Sequence, residues 1–286
     1  MGKIVIVGSG PAGCSAALYA ARAGQEVVVI SMGMGALSKA ELIQNYYGFE
    51  EGITGAELYR QGVAGAKAVG AEFITAEVVG LDYTGSLVGQ TTEGDYPADA
   101  VILATGAGRI APKIAGLAEH EGRGVSYCAT CDAFFYRGKT AAVLGSGEYA
   151  LHEVQALLPL AGRVILCTNG EPLTADFPEG VEICTEKLAA VEGEEKVSAL
   201  RLENGELLPV EGLFVALGVA GSAALARKLG APVENGRIVV DERMQTGIPG
   251  LYAAGDCTGG LLQVCKAVYE GALAATEAIK QIRGKK

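Results

Sequence analysis

Histidine is scarce in this chain of 286 residues, which contains only His120 and His152. Only one pair of cysteines, Cys128 and Cys131, is closely spaced, and no second C-x-x-C exists. A structural zinc site takes about four Cys or His ligands at suitable spacing. We therefore expect no metal site, and we interpret both histidines as ordinary surface or helix residues.

Basic residues are outnumbered, with 23 Lys and Arg against 33 Asp and Glu and a net charge of −10. Nucleic acids and anionic membranes attract positively charged surfaces, so neither is an expected partner. No apolar run reaches membrane-spanning length without a glycine or a polar interruption. Residues 1–7 run straight into a glycine loop with no signal-peptide pattern before it, which favours a cytoplasmic protein.

The seven cysteines are too few and too scattered for a disulfide-stapled secreted scaffold. Apart from the C-x-x-C pair, we interpret them as small buried side chains in apolar or helical contexts. These five are Cys14, Cys167, Cys184, Cys257 and Cys265. The length and the apolar content of 50% suit one large domain or two modest ones.

Two segments of the chain follow the pattern strand, glycine loop, helix, strand. The first is predicted to have strands at 3–7 and 26–30, a turn at 8–13 and a helix over 11–23. The second is predicted to have strands at 140–144 and 163–167, a turn at 145–150 and a helix over 148–160. A β-α-β unit of this kind implies a parallel doubly wound sheet, so the predicted fold class is α/β.

Further elements are predicted between and after these units. Strands are expected at 100–103, before Ala104-Thr-Gly106, and at 250–254, before Gly255-Asp256. Alternating apolar and polar residues predict an antiparallel meander at 75–99. A similar antiparallel arrangement of short strands is predicted over 181–217, around Gly193 and with a hairpin at Asn204-Gly205. The last helix is predicted over 263–282.

Gly8, Gly10 and Gly13 form the pattern G-x-G-x-x-G between a strand and a helix. The first glycine permits a tight turn, the second lets the backbone approach a pyrophosphate, and the third lets helix and strand pack closely. The helix N-terminus also favours the anion. The loop therefore predicts a dinucleotide, but Ser31-Met32 after the second strand offers no acidic residue that would tell FAD from NAD.

Four motifs together resemble those of the low-molecular-weight thioredoxin reductases, and the resemblance covers essentially the whole chain. They are Gly8-Ser-Gly-Pro-Ala-Gly13, Ala104-Thr-Gly106, Cys128-Ala-Thr-Cys-Asp132 and Thr246-Gly-Ile-Pro-Gly-Leu-Tyr-Ala-Ala-Gly-Asp256. The resemblance implies a homodimeric flavoprotein that reduces thioredoxin. It also implies two doubly wound three-layer domains: an FAD-binding domain made of residues 1–107 and 232–286, and an inserted domain, 108–231, that carries the C-x-x-C.

The resemblance implies that FAD contacts the first glycine loop and several later segments. The residues so implied are Gly8, Gly10, Pro11, Ala12, Gly13, Asn45, Ala104, Thr105, Gly106, Gly255, Asp256, Gln263 and Val264. Asn45 matches the asparagine of the family's E-N-Y/W-P-G motif, and Asp256 would bind the ribityl chain. Gln263 and Val264 match an R-Q-A motif whose arginine is absent here.

The resemblance also assigns roles around the redox pair. Cys131 would be the thiol nearest the flavin, while Cys128 would attack the disulfide of thioredoxin and form a mixed disulfide that Cys131 resolves. Two cysteines three residues apart at the start of a helix can reach each other, and a helix N-terminus lowers the pKa of a thiol. Asp132 would donate and accept the proton, with a helix cap as its alternative role.

The second glycine loop, Gly145-Ser-Gly-Glu-Tyr-Ala150, departs from the family's nicotinamide-binding pattern. Glu148 places a negative charge, and Tyr149 adds bulk, where a pyrophosphate would lie. The following Thr168-Asn-Gly170 lacks the arginines that bind a 2′-phosphate, and the family's G-x-x-P-N is here Gly218-Val-Ala-Gly-Ser222. These departures resemble the pyridine-nucleotide-independent branch, in which ferredoxin is the electron donor.

Three alternatives stay open. An NADH- or NADPH-dependent reductase with unusual recognition would be reduced rapidly by its nucleotide, and a dithiol oxidase would make peroxide from a small-molecule dithiol. A flavin-bound redox sensor or scaffold would trap no thioredoxin adduct. A small basic excess over 109–139 could meet an acidic ferredoxin, although ordinary surface charge also accounts for it. Its members are Arg109, Lys113, Arg123, Arg137 and Lys139.

Overall fold

The structure, a computed structural model, describes residues 1–106, 113–218 and 220–284. The chain divides into two compact units, which we call the first unit, Met1–Arg109 with Gly221–Lys286, and the inserted unit, Ile110–Ala220. The predicted boundary at 107/108 and the basic residue Arg109 lie outside the described residues.

Both predicted β-α-β units are present, and the strands predicted at 3–7, 100–103, 140–144 and 163–167 are confirmed with these bounds. In the described ranges the strands are β1 Lys3–Val7, β2 Glu26–Ser31, β3 Glu72–Thr75, β4 Val78–Tyr83, β5 Leu87–Thr91, β6 Gly94–Ala98, β7 Ala100–Leu103, β8 Val125–Ser126, β9 Thr140–Leu144, β10 Arg163–Cys167, β11 Glu182–Cys184, β12 Leu188–Glu192, β13 Ala199–Leu202, β14 Leu207–Pro209, β15 Gly212–Val215, β16 Val233–Glu234, β17 Arg237–Ile238 and β18 Leu251–Ala253. The α-helices there are α1 Pro11–Arg22, α2 Gly55–Ala68, α3 Ala129–Asp132, α4 Glu148–Leu157, α5 Ser222–Lys228 and α6 Val264–Gly284. Short 3-10 helices lie at Gly35–Lys39, Ala133–Tyr136 and Asp256–Thr258.

The first unit is built on a parallel sheet of order β18-β7-β1-β2-β3. Its central strands β1 and β7 are almost continuously apolar and buried, as expected for a parallel strand covered on both faces. Small residues let α1 and α6 pack closely: a Cβ added at Gly271 would lie 2.0 Å from the carbonyl oxygen of Ala12. The meander predicted over 75–99 is confirmed as the antiparallel strands β4, β5 and β6.

The inserted unit repeats this architecture with a parallel sheet of order β11-β10-β9-β15-β8. An antiparallel sheet, β12-β13-β14, packs beside it, and the hairpin predicted at Asn204-Gly205 joins β13 to β14. The antiparallel prediction for 181–217 is wrong at both ends, because β11 and β15 pair in parallel with β10 and β9. A short apolar run does not reveal the direction of its partner strand.

The inserted unit ends earlier than the sequence predicts, at 220/221 rather than 231/232. Helix α5 belongs to the first unit because its N-terminus is bonded there. The Ser222 N–H donates to Thr105 Oγ1 at 2.8 Å, and the two hydroxyl oxygens lie 2.7 Å apart. Ser222 is almost fully buried, so these bonds lie out of reach of water.

Three predictions about single side chains need correction. Cys14, Cys167 and Cys257 are buried as predicted, but Cys184 is only half-buried and Cys265 is exposed on the first turn of α6. The interpretation of the histidines as surface or helix residues is wrong for one of them: His120 is buried, and its ring nitrogens lie 2.7 Å and 3.1 Å from two backbone carbonyl oxygens, those of Gly116 and Gly193.

None of the helices in the described ranges combines the length and the apolar composition needed to cross a membrane. Likewise, the described residues bring together no group of three His, Cys, Asp or Glu side chains suited to a metal ion.

Candidate functional site

A cleft of about 310 Å³ opens in the first unit where β1, β7 and β18 end. The carboxyl ends of parallel strands are the usual place for ligands in a doubly wound sheet. All the cofactor residues that the resemblance implies, except Gly13, line this cleft. The motifs that follow the three strands therefore converge on one site, although most of the length of the chain separates the first motif from the last.

The glycines of the first loop differ in what surrounds them. A Cβ at Gly8, whose φ is +109°, would lie 2.3 Å from the Ala104 carbonyl oxygen, and one at Gly13 would lie 1.9 Å from the Gly8 carbonyl oxygen. Gly13 is therefore hidden behind the loop, and it packs helix on strand instead of touching the cleft. A Cβ at Gly10 would meet nothing within 4 Å, so this backbone is open to a ligand.

Helix α1 begins directly at this open backbone. Pro11 occupies its first turn, and the first turn contains no acidic residue. The unpaired N–H groups of a helix N-terminus attract an anion. An open glycine, a helix N-terminus and the absence of nearby negative charge together fit the pyrophosphate of a dinucleotide.

Two residues implied as flavin contacts bind each other directly. The Asn45 side-chain amide donates a hydrogen bond to Gln263 Oε1 at 2.9 Å, although 218 positions separate them in the chain. Both line the cleft, beside Val264. One wall of the site is therefore formed where the loop that follows the 3-10 helix Gly35–Lys39 meets the start of α6.

The turn at Gly255-Asp256 is held by an ion pair that the sequence analysis missed. Glu270, on α6, accepts a hydrogen bond from the Gly255 N–H at 2.8 Å and pairs with Lys266 at 3.0 Å. Lys266 also donates to the Gly255 carbonyl oxygen at 2.8 Å. The only signal in the sequence was the i, i+4 spacing of Lys266 and Glu270 on a predicted helix.

A second missed part of the cleft follows β2. Residues 33–37, together with 40, 42 and 43, line the cavity. The segment is one short 3-10 helix with irregular backbone on both sides, so it has no periodicity that a sequence pattern could detect. At the end of β2, the Ser9 hydroxyl lies 2.6 Å from the Ser31 hydroxyl and 3.0 Å from that of Tyr59. Hydroxyl groups therefore stand where many dinucleotide folds have an acidic residue.

The C-x-x-C pair lies in the inserted unit, directly after β8. Cys128 and Cys131 form a disulfide with their Cα atoms 5.4 Å apart. Cys128 is the N-cap of α3, a single turn that contains Cys131 and is continued by the 3-10 helix Ala133–Tyr136. Cys128 is only 4% exposed, whereas Cys131 is exposed. The two sulfurs are therefore not equally accessible.

Asp132 is bonded into the same turn as the disulfide. Its Oδ2 accepts a hydrogen bond from the Ser126 hydroxyl at 2.7 Å, and the Ser126 oxygen accepts from the Cys128 N–H at 3.1 Å. Burial, and then the negative charge of Asp132, raise the pKa of Tyr136. The carboxylate thus has a fixed position one hydrogen-bonded residue away from Cys128.

A second carboxylate supports the redox turn, and the sequence analysis missed it. Glu153, on α4, is 1% exposed, and its side chain accepts a hydrogen bond from the N–H of Ala129, the residue after Cys128. Its other oxygen lies 3.4 Å from His152 Nδ1. Nothing in the local sequence indicated this contact, because α4 and the turn meet only in the folded unit.

The second glycine loop is covered by its own chain. The Thr174 N–H donates to the Ser146 carbonyl oxygen at 2.8 Å, and a Cβ at Gly147 would lie 2.9 Å from Thr174 Oγ1. Glu148 occupies the first turn of α4, as predicted. The bulk of Tyr149 points elsewhere: this side chain is buried and its hydroxyl donates to the Tyr127 carbonyl oxygen at 3.0 Å.

The segment after β10 is also closed. Asn169 takes a left-handed conformation with φ of +56°, and its side-chain oxygen accepts a hydrogen bond from the Leu188 N–H at 2.8 Å. Arg163 lies at the opposite end of β10 and pairs with Glu182 at 2.8 Å. No guanidinium is therefore available on this strand for a 2′-phosphate at its carboxyl end.

Comparison with known proteins identifies the family. Residues 2–271 match the pyridine nucleotide-disulphide oxidoreductases. This chain belongs to that family. Among curated members, thioredoxin reductases of Aquifex aeolicus and Listeria innocua are 35% and 33% identical to it. The first match covers 99% of this chain and 94% of the relative, and the second 98% and 93%.

Solved structures of the family are similar over their full length. The atypical thioredoxin reductase TRi from Desulfovibrio vulgaris Hildenborough is 40% identical, with a TM-score of 0.93 and 99% of both chains covered. A ferredoxin-flavin thioredoxin reductase from Clostridium acetobutylicum is 35% identical, with a TM-score of 0.75 and 99% and 98% covered. The resemblance and the fold class predicted from the motifs are confirmed.

Family membership also confirms FAD as the cofactor. The first unit fits this group by its own geometry, through the open backbone at Gly10 and the uncharged start of α1. The second loop does not offer the same features, because Thr174 covers Gly147 and Glu148 adds a negative charge.

Proposed function

We propose that this chain is a flavin-dependent thioredoxin-disulfide reductase with Cys128 and Cys131 as its redox pair. The observation that carries the proposal is the disulfide between these cysteines, with Asp132 bonded into the same turn. The relatives named above are thioredoxin reductases, which supports thioredoxin as the partner. Homodimer formation and a cytoplasmic location stay predictions of the resemblance.

In this proposal FAD is held by the cleft of the first unit. The backbone at Gly10 and the N–H groups of α1 would bind the pyrophosphate, and Asp256 would bind the ribityl chain. Asn45 and Gln263, which are bonded to each other, would contact the flavin. When bound, FAD supplies the electron pair that reduces the disulfide. Lys266 and Glu270 act as positioning residues, because they fix the turn that carries Asp256.

The reduced cysteines then act on thioredoxin. The Cys128 sulfur attacks one sulfur of the partner's disulfide and the other sulfur leaves as a thiolate, which takes a proton. The Cys131 sulfur next attacks Cys128, so the mixed disulfide breaks and the Cys128–Cys131 disulfide forms again. In this proposal Asp132, which is bonded into the same turn, supplies and removes these protons. Since Cys128 is 4% exposed, this order requires Cys128 to become accessible first.

We further propose ferredoxin, rather than NADPH, as the electron donor. Three observations support this: Thr174 covers the second glycine loop, Glu148 places negative charge beside it, and β10 carries its only arginine at the wrong end. A similar solved protein is a ferredoxin-flavin thioredoxin reductase. An acidic ferredoxin would meet the basic residues of the inserted unit, among them Arg137, which lies over the Phe134 ring at 5.3 Å.

Anaerobic stopped-flow absorbance of the flavin tests the donor. Reduced ferredoxin should bleach the absorbance of the oxidised flavin within the stopped-flow time course. NADPH and NADH at micromolar concentration should leave that absorbance unchanged over the same time. Rapid bleaching by NADPH would replace our proposal with the nucleotide-dependent alternative. A control with dithionite shows that the flavin in each sample is reducible. In a separate assay in air, peroxide release with small dithiols would instead favour an oxidase.

A further inference from the structure

Two cysteines outside the C-x-x-C pair lie side by side on neighbouring strands of the inserted unit's sheet. Cys167 ends β10, Cys184 ends β11, and the register of these parallel strands places them directly opposite. Neighbouring strands lie about 4.7–4.9 Å apart. That spacing falls within the Cα separation of about 4.4–6.8 Å that a disulfide requires. The Cα spacing at this position therefore meets the first requirement for a bond between the two sulfurs.

The two thiols already interact in their reduced form. Each thiol is the largest single influence on the pKa of the other. Cys167 is fully buried, whereas Cys184 is half-buried and reaches solvent. An oxidant in solution therefore meets Cys184 first, with Cys167 directly behind it.

Their surroundings give the two thiols opposite chemistry. The hydrogen bond from Cys167, helped by one from the Glu186 N–H, lowers the pKa of Cys184 to about 6, against burial and the carboxylates of Glu186 and Glu206. The same pairing, with burial, raises the pKa of Cys167. At neutral pH the accessible member is thus a thiolate and the buried member a protonated thiol, which is the division between an attacking and a resolving cysteine.

We propose that Cys167 and Cys184 are a second redox-active dithiol, which hydroperoxides oxidise to a disulfide. The Cys184 thiolate attacks an oxygen of the hydroperoxide, the O–O bond breaks, and the leaving oxygen takes a proton to give water or an alcohol. The Cys167 sulfur then attacks the Cys184 sulfenic acid, the S–O bond breaks, and the hydroxyl leaves as water with the Cys167 proton. Two thiols and one hydroperoxide become one disulfide, one water and one water or alcohol.

Other cysteines in the described part of the chain provide internal comparisons. Burial raises the pKa of Cys14 to about 12 and that of Cys257 to about 11. Their thiols donate to backbone carbonyl oxygens, that of Ser9 at 3.0 Å and that of Ala254 at 3.3 Å. Such buried, protonated thiols react slowly. Cys265 is exposed and tests whether exposure alone accounts for oxidation.

Peroxide titration of the full-length flavoprotein tests the proposal. In a Cys128→Ser/Cys131→Ser variant the five free cysteines remain. One equivalent of hydrogen peroxide at pH 7 should consume two of these thiols and leave three for alkylation after denaturation. Trypsin releases residues 164–187 as one peptide, which contains both cysteines and should lose the mass of two hydrogen atoms. Dithiothreitol should restore that mass.

A second variant separates pairing from exposure. In Cys167→Ala, the pH midpoint for alkylation of Cys184 should move up from about 6, and peroxide should give a sulfenic acid but no disulfide. Cys265→Ser should leave the titration of the pair unchanged. The proposal is overturned if peptide 164–187 of the wild-type protein keeps both thiols while Cys265 is oxidised. This test uses the unmodified chain, so it does not depend on whether a variant folds. These readouts do not depend on thioredoxin reduction.

Discussion

The Thr174 N–H donates a hydrogen bond to the Ser146 carbonyl oxygen at 2.8 Å and brings the Thr174 side chain over Gly147. The equivalent glycine of the first loop, Gly10, faces open space. One glycine pattern therefore occurs twice in this chain with different surroundings. The first copy is open to a pyrophosphate, whereas the second is filled by a side chain from a later segment.

Alanine substitutions in the first loop should separate binding from packing. Gly10→Ala should fold normally, because its backbone, with φ of −68°, suits any residue and its Cβ meets nothing. Its FAD affinity should fall about tenfold or more, since the Cβ enters the ligand's space. Gly13→Ala should lose about 3 kcal/mol of stability, because the Cβ overlaps the Gly8 carbonyl. Flavin absorbance and thermal unfolding of the apoprotein measure the two effects.

Gly145→Ala is a packing control in the second loop. Its Cβ would lie 2.2 Å from the Ala216 carbonyl oxygen, so it should destabilise the inserted unit. FAD affinity of the folded fraction should stay at the wild-type level. Full FAD occupancy in Gly10→Ala would contradict the role given to the first loop.

Single serine substitutions should distinguish the two redox cysteines. If Cys128 attacks thioredoxin, Cys131→Ser should accumulate more mixed disulfide than Cys128→Ser, because no second thiol of this chain resolves it. Non-reducing electrophoresis with oxidised thioredoxin and a chemically reduced variant measures both. Because Cys131 is the exposed sulfur in the structure, the reverse outcome would show that Cys131 is the attacking thiol.

Asp132→Asn should slow thioredoxin reduction by about 10²–10⁴-fold, the range typical for loss of a general acid–base group. The amide can still accept the hydrogen bond from Ser126, so the turn and the disulfide should persist. Ser126→Ala serves as the comparison, because it removes the bond but keeps the carboxylate. Steady-state kcat and the flavin spectrum are the readouts. An unchanged kcat in Asp132→Asn would show that Asp132 transfers no proton in the rate-limiting step and would favour its alternative role as a helix cap.

Glu153→Ala should destabilise the inserted unit by about 1–3 kcal/mol, because it leaves the Ala129 N–H buried without its acceptor. Glu153→Gln keeps an acceptor oxygen and should recover most of that loss. Glu148→Gln, a change of the same kind in the first turn of the same helix, should cost about 0.3–1 kcal/mol. Denaturant unfolding measures all three, and equal losses would remove the special role of Glu153.

Local patterns in the sequence determined the parallel strands and the two glycine loops. The apolar runs at Lys3–Val7 and Thr140–Leu144 are continuous because these strands are buried on both faces, and that requirement is visible in any short window. The glycine at Gly13 is required by a clash a few residues away, so it too can be found locally. Family membership followed from such motifs taken together.

Only the tertiary structure decided which of these patterns forms an open site. Asn45 meets Gln263 across 218 positions, and Thr174 fills the second loop from a later turn. The strand register that pairs Cys167 with Cys184 is likewise set between segments. Such contacts depend on how loops fold back on the sheet. Loops lack the regular spacing of apolar residues found in helices and strands, so the sequence does not indicate which residues they contact.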